Sequence, residues 1–264
     1  MSSTLEGGPQ GTPAAVPTVR LWMTPVAAWR LLRVLLHILI ILLQSVTVWR
    51  SLDRAGLDRA TQNWSRKMLH ILGIRLDVQG HTRPGAKLVV ANHVSWLDIV
   101  AINAVVPSRF VSKAEVGQWP LIGPLVTAAG TLYLVRERRR DAMRVLGLMS
   151  QVLRDGHTVA VFPEGTTGDG HSVMHFHANM LQAAIDAAMP VQPVALRYSD
   201  PDRAISPIAA YAGDTTLMQS LWWVVTAKGL CVKATILPLQ AVDHADRRLL
   251  AESLRTTISD ALSD

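Results

Sequence analysis

The chain has 264 residues, which is enough for one domain with a full hydrophobic core, and two domains are not required. Charged residues make up only 17% of the chain and hydrophobic residues 49%, and the mean hydropathy lies above zero. This composition is apolar for a freely soluble protein and predicts contact with a membrane. The 26 basic residues outnumber the 20 acidic ones, for a net charge of +6, which favours anionic partners such as nucleic acid, anionic lipid or phosphorylated substrates. The single cysteine, Cys231, excludes an intramolecular disulfide and a cysteine-based metal cluster, and we expect it to be buried in a strand.

The N-terminal part of the chain is predicted to attach the protein to a membrane. Residues 1–20 combine glycine, proline and small residues without periodicity, which predicts a disordered tail. Residues 21–75 are predicted to form membrane-anchoring helices, the second of them an amphipathic segment over residues 57–72. A spanning helix needs about 20 apolar residues, and the first segment reaches that length only if Arg30, Arg33, His37 or Gln44 is included. A helix that crosses the bilayer and a helix that lies in one leaflet therefore both remain open. A signal peptide fits poorly, because the segment starts late and lacks a small-residue cleavage site.

Residues 76–264 are predicted to form a single α/β domain. Short apolar runs alternate with helical stretches, which is the rhythm of a mixed, mostly parallel sheet flanked by helices. The predicted helices span residues 96–105, 139–154, 178–188 and 245–262. The predicted strands span residues 87–91, 109–113, 131–135, 158–162, 191–196 and 231–237.

A histidine and an aspartate follow the first of these strands, in the stretch "NHVSWLD" at residues 92–98. One interpretation is a helix start, with Ser95 as N-cap and Asp98 at the third helical position. The other is a catalytic pair, in which the Asp98 carboxylate orients the His93 imidazole as a base. Within one helix an offset of five residues would place the two side chains about 140° apart. If His93 instead lies in the turn before the helix, Asp98 on the first turn can reach the imidazole.

A second polar motif, "FPEGTTGDG" at residues 162–170, directly follows another predicted strand. Gly165 allows a ligand to approach the backbone closely, and the hydroxyls of Thr166 and Thr167 with nearby amides can bind a phosphate or an oxyanion. An ordinary turn is the simpler alternative. The motif lacks the lysine of a P-loop, and the chain contains no Gly-x-Ser-x-Gly nucleophile elbow, which argues against a serine hydrolase.

The first two of four sequence blocks carry a resemblance to a known family. Asn92 and His93 are followed after four residues by Asp98, and "GTLYLVR" runs from Gly130 through a strand-like stretch to Arg136. In this order they are similar to the first two blocks of the PlsC-like glycerolipid acyltransferases.

The remaining two blocks follow at the expected places. "FPEGT" at residues 162–166 resembles the third block of that family, although Thr167 stands where the family has arginine. The fourth block, a proline-bounded apolar strand, is similar to "PVQPVAL" with Pro190 and Pro193. The resemblance covers about residues 80–200.

This resemblance implies an acyltransferase whose catalytic domain spans residues 76–264. The acyl group comes from acyl-CoA or acyl carrier protein, and the acceptor is the free hydroxyl of a lysophospholipid, with lysophosphatidic acid as the first expectation. His93 is implied as the general base and Asp98 as its orienting partner, without an acyl-enzyme intermediate. Arg136 and the loop of Glu164, Gly165, Thr166 and Thr167 are implied to bind the acceptor. The resemblance implies no cofactor.

Thr167 weakens the expectation of a phosphate head group. Without the arginine, another acceptor is open, and the combination of "FPEGTT" and "FHAN" resembles a branch that completes ornithine lipids. The resemblance also implies a membrane-associated enzyme of the bacterial inner membrane, with its catalytic domain facing the cytoplasm.

Two other residue clusters suggest different functions. The basic cluster at residues 136–144 is compatible with anionic lipid or with coenzyme A, but no recognition-helix or aromatic pattern accompanies it, so we expect no nucleic acid partner. The histidines at 171, 175 and 177 raise the possibility of a metal-dependent hydrolase, but no carboxylate completes a ligand pattern, and we expect no metal site.

Overall fold

A computed structural model describes residues 24–134, 139–243 and 245–263, apart from the side chains of Arg50 and Arg139. The predicted tail at residues 1–20 lies outside these residues. The eight α-helices of the described chain are α1 Thr24–Thr47, α2 Arg54–Leu72, α3 Leu97–Val105, α4 Ile122–Ala128, α5 Arg139–Arg154, α6 Gln182–Ala187, α7 Leu217–Thr226 and α8 Arg247–Ser263. The strands are β1 Arg75–Gln79, β2 Leu88–Ala91, β3 Arg109–Lys113, β4 Leu132–Leu134, β5 Val159–Val161, β6 Val191–Ser199 and β7 Cys231–Ile236.

The strands form one sheet in the order β1-β7-β6-β2-β5-β3-β4. Neighbours pair in parallel except β6 and β7, which are antiparallel. The prediction of a mixed, mostly parallel sheet flanked by helices is confirmed, and all six predicted strands are present. The prediction missed β1, since four of its five residues are exposed and it has no apolar run. It also missed α4 and α7, which are only 7 and 10 residues long.

Strand β2 shows why the sheet is covered on both faces. All four of its residues are fully buried, and because side chains alternate across a strand, Leu88 and Val90 enter one hydrophobic core while Val89 and Ala91 enter the other. The first core includes residues of α1, α2, α3 and α7, and the second includes residues of α5, α6 and α8. A continuous apolar run is what a strand buried on both faces requires.

The N-terminal helices pack on this domain. One stripe of α1, which includes Ala27, Val34 and Ile38, is buried in the first core together with residues of α2. Arg30 Nη1 donates to the carbonyl oxygens of Val225 at 2.8 Å and Ala227 at 2.9 Å, at the C-terminal end of α7. A cation at that end of a helix is favourable, because the last carbonyls there carry partial negative charge.

The opposite stripe of α1 stays exposed although it is apolar. Among the described helices, only α1 is long and apolar enough to cross a membrane by length and composition. The exposed apolar residues of this stripe are Val26, Trp29, Leu32, Leu35, Leu36, Leu39, Ile40, Leu43 and Val46.

The parallel strands bring separate chain segments to one edge. Because β6, β2, β5, β3 and β4 run in the same direction, their carboxyl ends meet at the same edge of the sheet, where open α/β sheets bind ligands. The stretch at residues 92–98 follows β2, and the loop at residues 162–170 follows β5.

Candidate active site

The imidazole of His93 and the carboxylate of Asp98 are in direct contact. His93 lies in the turn before α3, and its Nδ1 is 2.8 Å from Oδ2 of Asp98 on the first turn of that helix. Asp98 is fully buried, whereas the His93 side chain keeps 19% of its surface exposed. No partner for Nε2 occurs within the described chain. A carboxylate on Nδ1 favours the tautomer that leaves the Nε2 lone pair free to accept a proton.

The loop before α3 is organised by Asp98 and not by Ser95. Oδ2 of Asp98 also accepts hydrogen bonds from the backbone N–H of Val94 at 2.7 Å and of Ser95 at 2.8 Å. The prediction of Ser95 as N-cap is wrong: α3 begins at Leu97, and the buried Ser95 hydroxyl has no partner among the described residues. A carboxylate accepts several donors at once and a serine hydroxyl fewer, which explains why Asp98 holds the turn.

Tyr198 is a part of the site that sequence reasoning missed. Its hydroxyl donates to Oδ1 of Asp98 at 2.8 Å, and the side chain is buried near the end of β6. Burial, together with the charge of Asp98, raises the pKa of Tyr198 well above its ordinary value, so the hydroxyl keeps the proton that it donates. Asn92 ties β2 to the same strand, because its side-chain amide exchanges two hydrogen bonds with the backbone of Leu196.

Glu164 connects the second motif to the first. Its Oε1 accepts from the backbone N–H of His93 at 2.6 Å, and its Oε2 accepts from that of Met174 at 2.9 Å. The side chain is 5% exposed, and burial raises the pKa of Glu164, while the two backbone donors act in the opposite direction. Both carboxylate oxygens are thus bonded to backbone, and this geometry makes Glu164 a positioning residue for the turn that carries His93. Phe162 supports that turn too, with its ring stacked on the His93 imidazole at 3.9 Å between centroids.

The second motif continues with Gly165, Thr166 and Thr167, whose environments differ. Gly165 has a φ of +72°, a left-handed conformation that glycine adopts without strain, and Thr166 after it is exposed. The Thr167 hydroxyl donates to the carbonyl oxygen of Tyr211, which leaves it less available to a substrate. The structure therefore brings Glu164, Gly165, Thr166 and Thr167 close to His93, whereas Arg136 lies outside the described residues.

A cleft of about 570 Å³ opens beside this loop. Its walls are mostly apolar and come from β4, α5 and the segment around Met180, while the motif residues from Phe162 to Thr166 line its near end. Phe162 lines the cleft and also stacks on the His93 imidazole, so one side chain contacts both. Its apolar lining residues include Leu134, Ala142, Val145, Leu146, Met149 and Met180.

The other candidates from the sequence take ordinary places. Cys231 is buried in β7, as expected. His175 and His177 pack edge to face at 5.5 Å between centroids, and within the described residues no group of three or more His, Cys, Asp or Glu side chains could hold a metal ion.

Comparison with known proteins identifies the family. A family model described as Acyltransferase matches residues 75–197. A 1-acyl-sn-glycerol-3-phosphate acyltransferase from Neisseria meningitidis serogroup B is 36% identical over 210 residues, 78% of this chain and 82% of that protein. The chain belongs to the PlsC-type acyltransferase family. Its enzymatic activity is acyl transfer in lipid biosynthesis.

Other relatives of this acyltransferase carry a different name. A lyso-ornithine lipid O-acyltransferase from Pseudomonas aeruginosa is 35% identical over 192 residues, 72% of this chain and 74% of that protein. One from Rhizobium meliloti is 32% identical over 258 residues, 90% of this chain and 87% of that protein. The crystal structure of the 1-acyl-sn-glycerophosphate acyltransferase PlsC from Thermotoga maritima shares the fold, with a TM-score of 0.70, 18% identity and coverage of 92% of this chain and 95% of that chain.

We expect Tyr198→Phe to lower kcat about tenfold while the KM for the acceptor stays within twofold. A hydrogen bond to a charged group contributes about 1.5–3 kcal/mol, of which only part acts in the transition state. Tyr133→Phe is the matched control, since its hydroxyl contacts Thr127 instead, and it should stay within twofold of wild type. Steady-state kinetics on protein of equal folded fraction decides. Unchanged kcat in the Tyr198 variant, or an equal loss in both variants, would remove Tyr198 from the site.

Proposed function

We propose that this acyltransferase moves a fatty acyl group from the thioester of acyl-CoA or acyl carrier protein to the free hydroxyl of a lysolipid. The observation that carries the proposal is the 2.8 Å contact between His93 Nδ1 and Asp98, which leaves Nε2 free on a partly exposed ring at the carboxyl edge of the sheet. An apolar cleft of suitable size for an acyl chain lies next to it.

The proposed reaction is a direct transfer. Nε2 of His93 takes the proton of the acceptor hydroxyl as that oxygen attacks the thioester carbonyl carbon, and Asp98 stabilises the imidazolium that forms. The tetrahedral intermediate then collapses, the carbon–sulfur bond breaks, and the thiolate leaves with the proton from His93. The step balances without an acyl-enzyme or a cofactor, and we propose that neither takes part.

Parts of the second motif are suited to bind negative charge during this step. The backbone N–H groups of Thr166 and Thr167 have no acceptor within the described chain, so they are available to an oxyanion or to an acceptor head group. Glu164 contributes indirectly, because it links this loop to the backbone of His93. The distance between loop and imidazole then depends on one buried carboxylate.

The apolar cleft is the proposed site of an acyl chain. Residues of α5 such as Val145, Leu146 and Met149 supply most of one wall, and burying a methylene of the chain there contributes about 0.8 kcal/mol. The polar residues Glu164 and Thr166 lie at the end of the cleft near Phe162, which would place the thioester close to His93.

Two acceptors are supported by different observations. Lysophosphatidic acid is the first candidate, because the relatives from Neisseria are named for 1-acyl-sn-glycerol 3-phosphate. Lyso-ornithine lipid is the second, because four further relatives are named for it and position 167 has a threonine whose hydroxyl is bonded to Tyr211. A phosphate monoester would lack the bidentate partner that an arginine at this position provides.

We also propose that α1 lies in one leaflet of a bacterial inner membrane, with the catalytic domain on the cytoplasmic side. One stripe of α1 packs on the domain, and Arg30 is bonded to the end of α7, so leaving the domain to cross a bilayer would break these contacts. The other stripe is apolar and exposed. Trp119 and Leu121 are also exposed just before α4, which packs against α1. Together they form an apolar surface suited to a bilayer.

We expect His93→Ala to lower the rate of acyl transfer at least a hundredfold, because general base catalysis contributes about 10²–10⁴. Asp98→Asn should also be strongly impaired, and His81→Ala, in an exposed loop, should be unaffected. The measurement is thiol release and product formation with a labelled acyl-CoA and a panel of lysolipids. Dialysis against EDTA should leave the wild-type rate unchanged. Turnover near wild type in the His93 variant would refute the mechanism.

Thr167→Arg should raise the ratio of kcat/KM for lysophosphatidic acid over lyso-ornithine lipid about tenfold. The new guanidinium offers a bidentate contact to the phosphate monoester of lysophosphatidic acid. Lyso-ornithine lipid has no phosphate monoester. Ser172→Arg, at an exposed position after the motif, is the control for added charge. A ratio that stays constant, or that changes equally in both variants, would show that position 167 does not contact the head group.

The variant Leu36→Gln/Leu43→Gln should lower the partitioning of the protein onto lipid vesicles at least tenfold. Both leucines are exposed on the outer stripe of α1. Replacing one of them with glutamine loses roughly 1.5–3 kcal/mol of side-chain burial in the bilayer, while glutamine still favours a helix. The control Leu148→Gln/Leu249→Gln removes exposed leucines from α5 and α8. Equal partitioning of the two double variants in a flotation assay would contradict this orientation of α1.

A further inference from the structure

A second pocket lies at the opposite edge of the sheet from His93. It measures about 90 Å³ and is formed where the chain passes from α1 to α2, at the amino ends of β3 and β5. Trp49 and Arg54 line one side, and Arg109, Gly130 and His157 line the other. Nothing in the acyl transfer mechanism uses these residues.

The pocket contains two guanidinium groups with few partners. In the described chain Arg109 has one side-chain hydrogen bond, from Nη2 to Nε2 of His157 at 3.3 Å, and Arg54 has one, to the carbonyl oxygen of Asp155 at 3.5 Å. Both distances are long, and each guanidinium carries five N–H donors. Neither group has a carboxylate oxygen within 4.0 Å among the residues described.

The surrounding backbone is shaped to hold these two groups. A Cβ at Gly130 would lie 3.1 Å from Nε of Arg109, and a Cβ at Gly156 would lie 2.5 Å from Nη1 of Arg54. Both glycines have left-handed φ angles, +77° and +87°, so a side chain would be unfavourable there for two reasons. The absence of side chains allows the guanidiniums to lie against the backbone at the pocket wall.

The charges in the pocket are unevenly balanced. Burial, followed by the charge of Arg54, lowers the pKa of Arg109, and burial with the charges of Arg109 and Arg54 lowers the pKa of His157. Asp58 also lines the pocket, and with Asp155 it opposes these effects in part. An anion between the two arginines would relieve their repulsion and use their free donors.

We infer that this pocket binds a phosphate group between Arg54 and Arg109. Two guanidiniums that converge on one small pocket present forked N–H donors, the geometry that suits the oxygens of a phosphate. The volume admits a single tetrahedral oxyanion and not a whole lipid. Because the pocket lies at the amino edge of the strands, its phosphate is distinct from any head group that reacts at His93.

The phosphate can come from an anionic membrane lipid or from solution. Trp49 follows the end of α1, whose exposed apolar stripe continues to Val46 and Val48, and tryptophan is common at the level of lipid head groups. A lipid phosphate would therefore reach the pocket while its acyl chains stay beside α1. Free phosphate would bind in the same way without a membrane.

The test compares Arg54→Gln/Arg109→Gln with wild type and with Arg59→Gln, an exposed arginine of α2 outside the pocket. Inorganic phosphate is titrated calorimetrically into full-length protein in a neutral detergent, with ionic strength held constant by chloride. We expect saturable binding of one phosphate by wild type, at least tenfold weaker binding by the double variant, and less than a twofold change for Arg59→Gln. Arg54→Lys/Arg109→Lys, which keeps the charge but loses the forked donors, should bind with intermediate affinity and serves if the glutamine variant fails to fold.

A second arm identifies the source of the phosphate. Vesicles of phosphatidylcholine, alone or with phosphatidylglycerol, are sedimented with each variant. The quantity compared is the increase in vesicle-bound protein when phosphatidylglycerol is added. If this increase is smaller for the pocket variants than for Arg59→Gln, the ligand is a lipid phosphate. If it is equal for all variants, the site is assigned to free phosphate. Acyl transfer at His93 serves as the folding control. The inference is wrong if wild type shows no saturable phosphate binding at millimolar concentration, or if the pocket variants bind as wild type does.

Discussion

The arrangement of the active site depends on one buried carboxylate, that of Asp98. It accepts four hydrogen bonds, from Nδ1 of His93, from the backbone N–H of Val94 and of Ser95, and from the hydroxyl of Tyr198. A carboxylate without such partners would be costly at full burial. The same contacts that make its burial tolerable also set the conformation of the turn before α3 and the orientation of the imidazole. The contacts that fix this loop are therefore the same ones that orient the imidazole.

A second buried carboxylate extends this organisation to the neighbouring strand. Glu164 accepts a hydrogen bond from the backbone of His93 with one oxygen and from that of Met174 with the other, so its side chain joins the loops after β2 and β5. The backbone N–H of Gly168 adds a bond to the carbonyl oxygen of His93 at 2.8 Å. Glu164, which the family resemblance implies as a substrate contact, is thus bonded to backbone through both of its oxygens.

The two edges of the sheet have different chemistry. The carboxyl edge combines an accessible imidazole with an apolar cleft, whereas the amino edge combines two arginines with a small polar pocket near the end of α1. The exposed apolar stripe of α1 ends close to the amino-edge pocket, since Trp49 after this helix lines the pocket. Acyl transfer and the proposed phosphate recognition are thus assigned to separate edges of one domain.

Local sequence was sufficient for most of the regular fold and for placing His93 and Asp98 within reach of each other. The apolar run of β2 predicts a strand buried on both faces, the alternation of strands and helices predicts a mostly parallel sheet, and the spacing of His93 and Asp98 permits their contact across a turn. These features depend on residues close together in the chain.

Local sequence could not predict the contact of Tyr198 with Asp98, which is 100 residues away in the chain. It also could not predict the edge strand β1, whose residues are mostly exposed and pair with β7. Local sequence also led to the wrong cap for α3. Whether Ser95 or Asp98 holds the turn depends on the groups that contact each side chain after folding. The packing of α1 on the domain was not predictable for the same reason, and neither was the placement of the two arginines at the amino edge. Contacts between distant segments arise from the way the sheet and its helices assemble, and no local pattern encodes them.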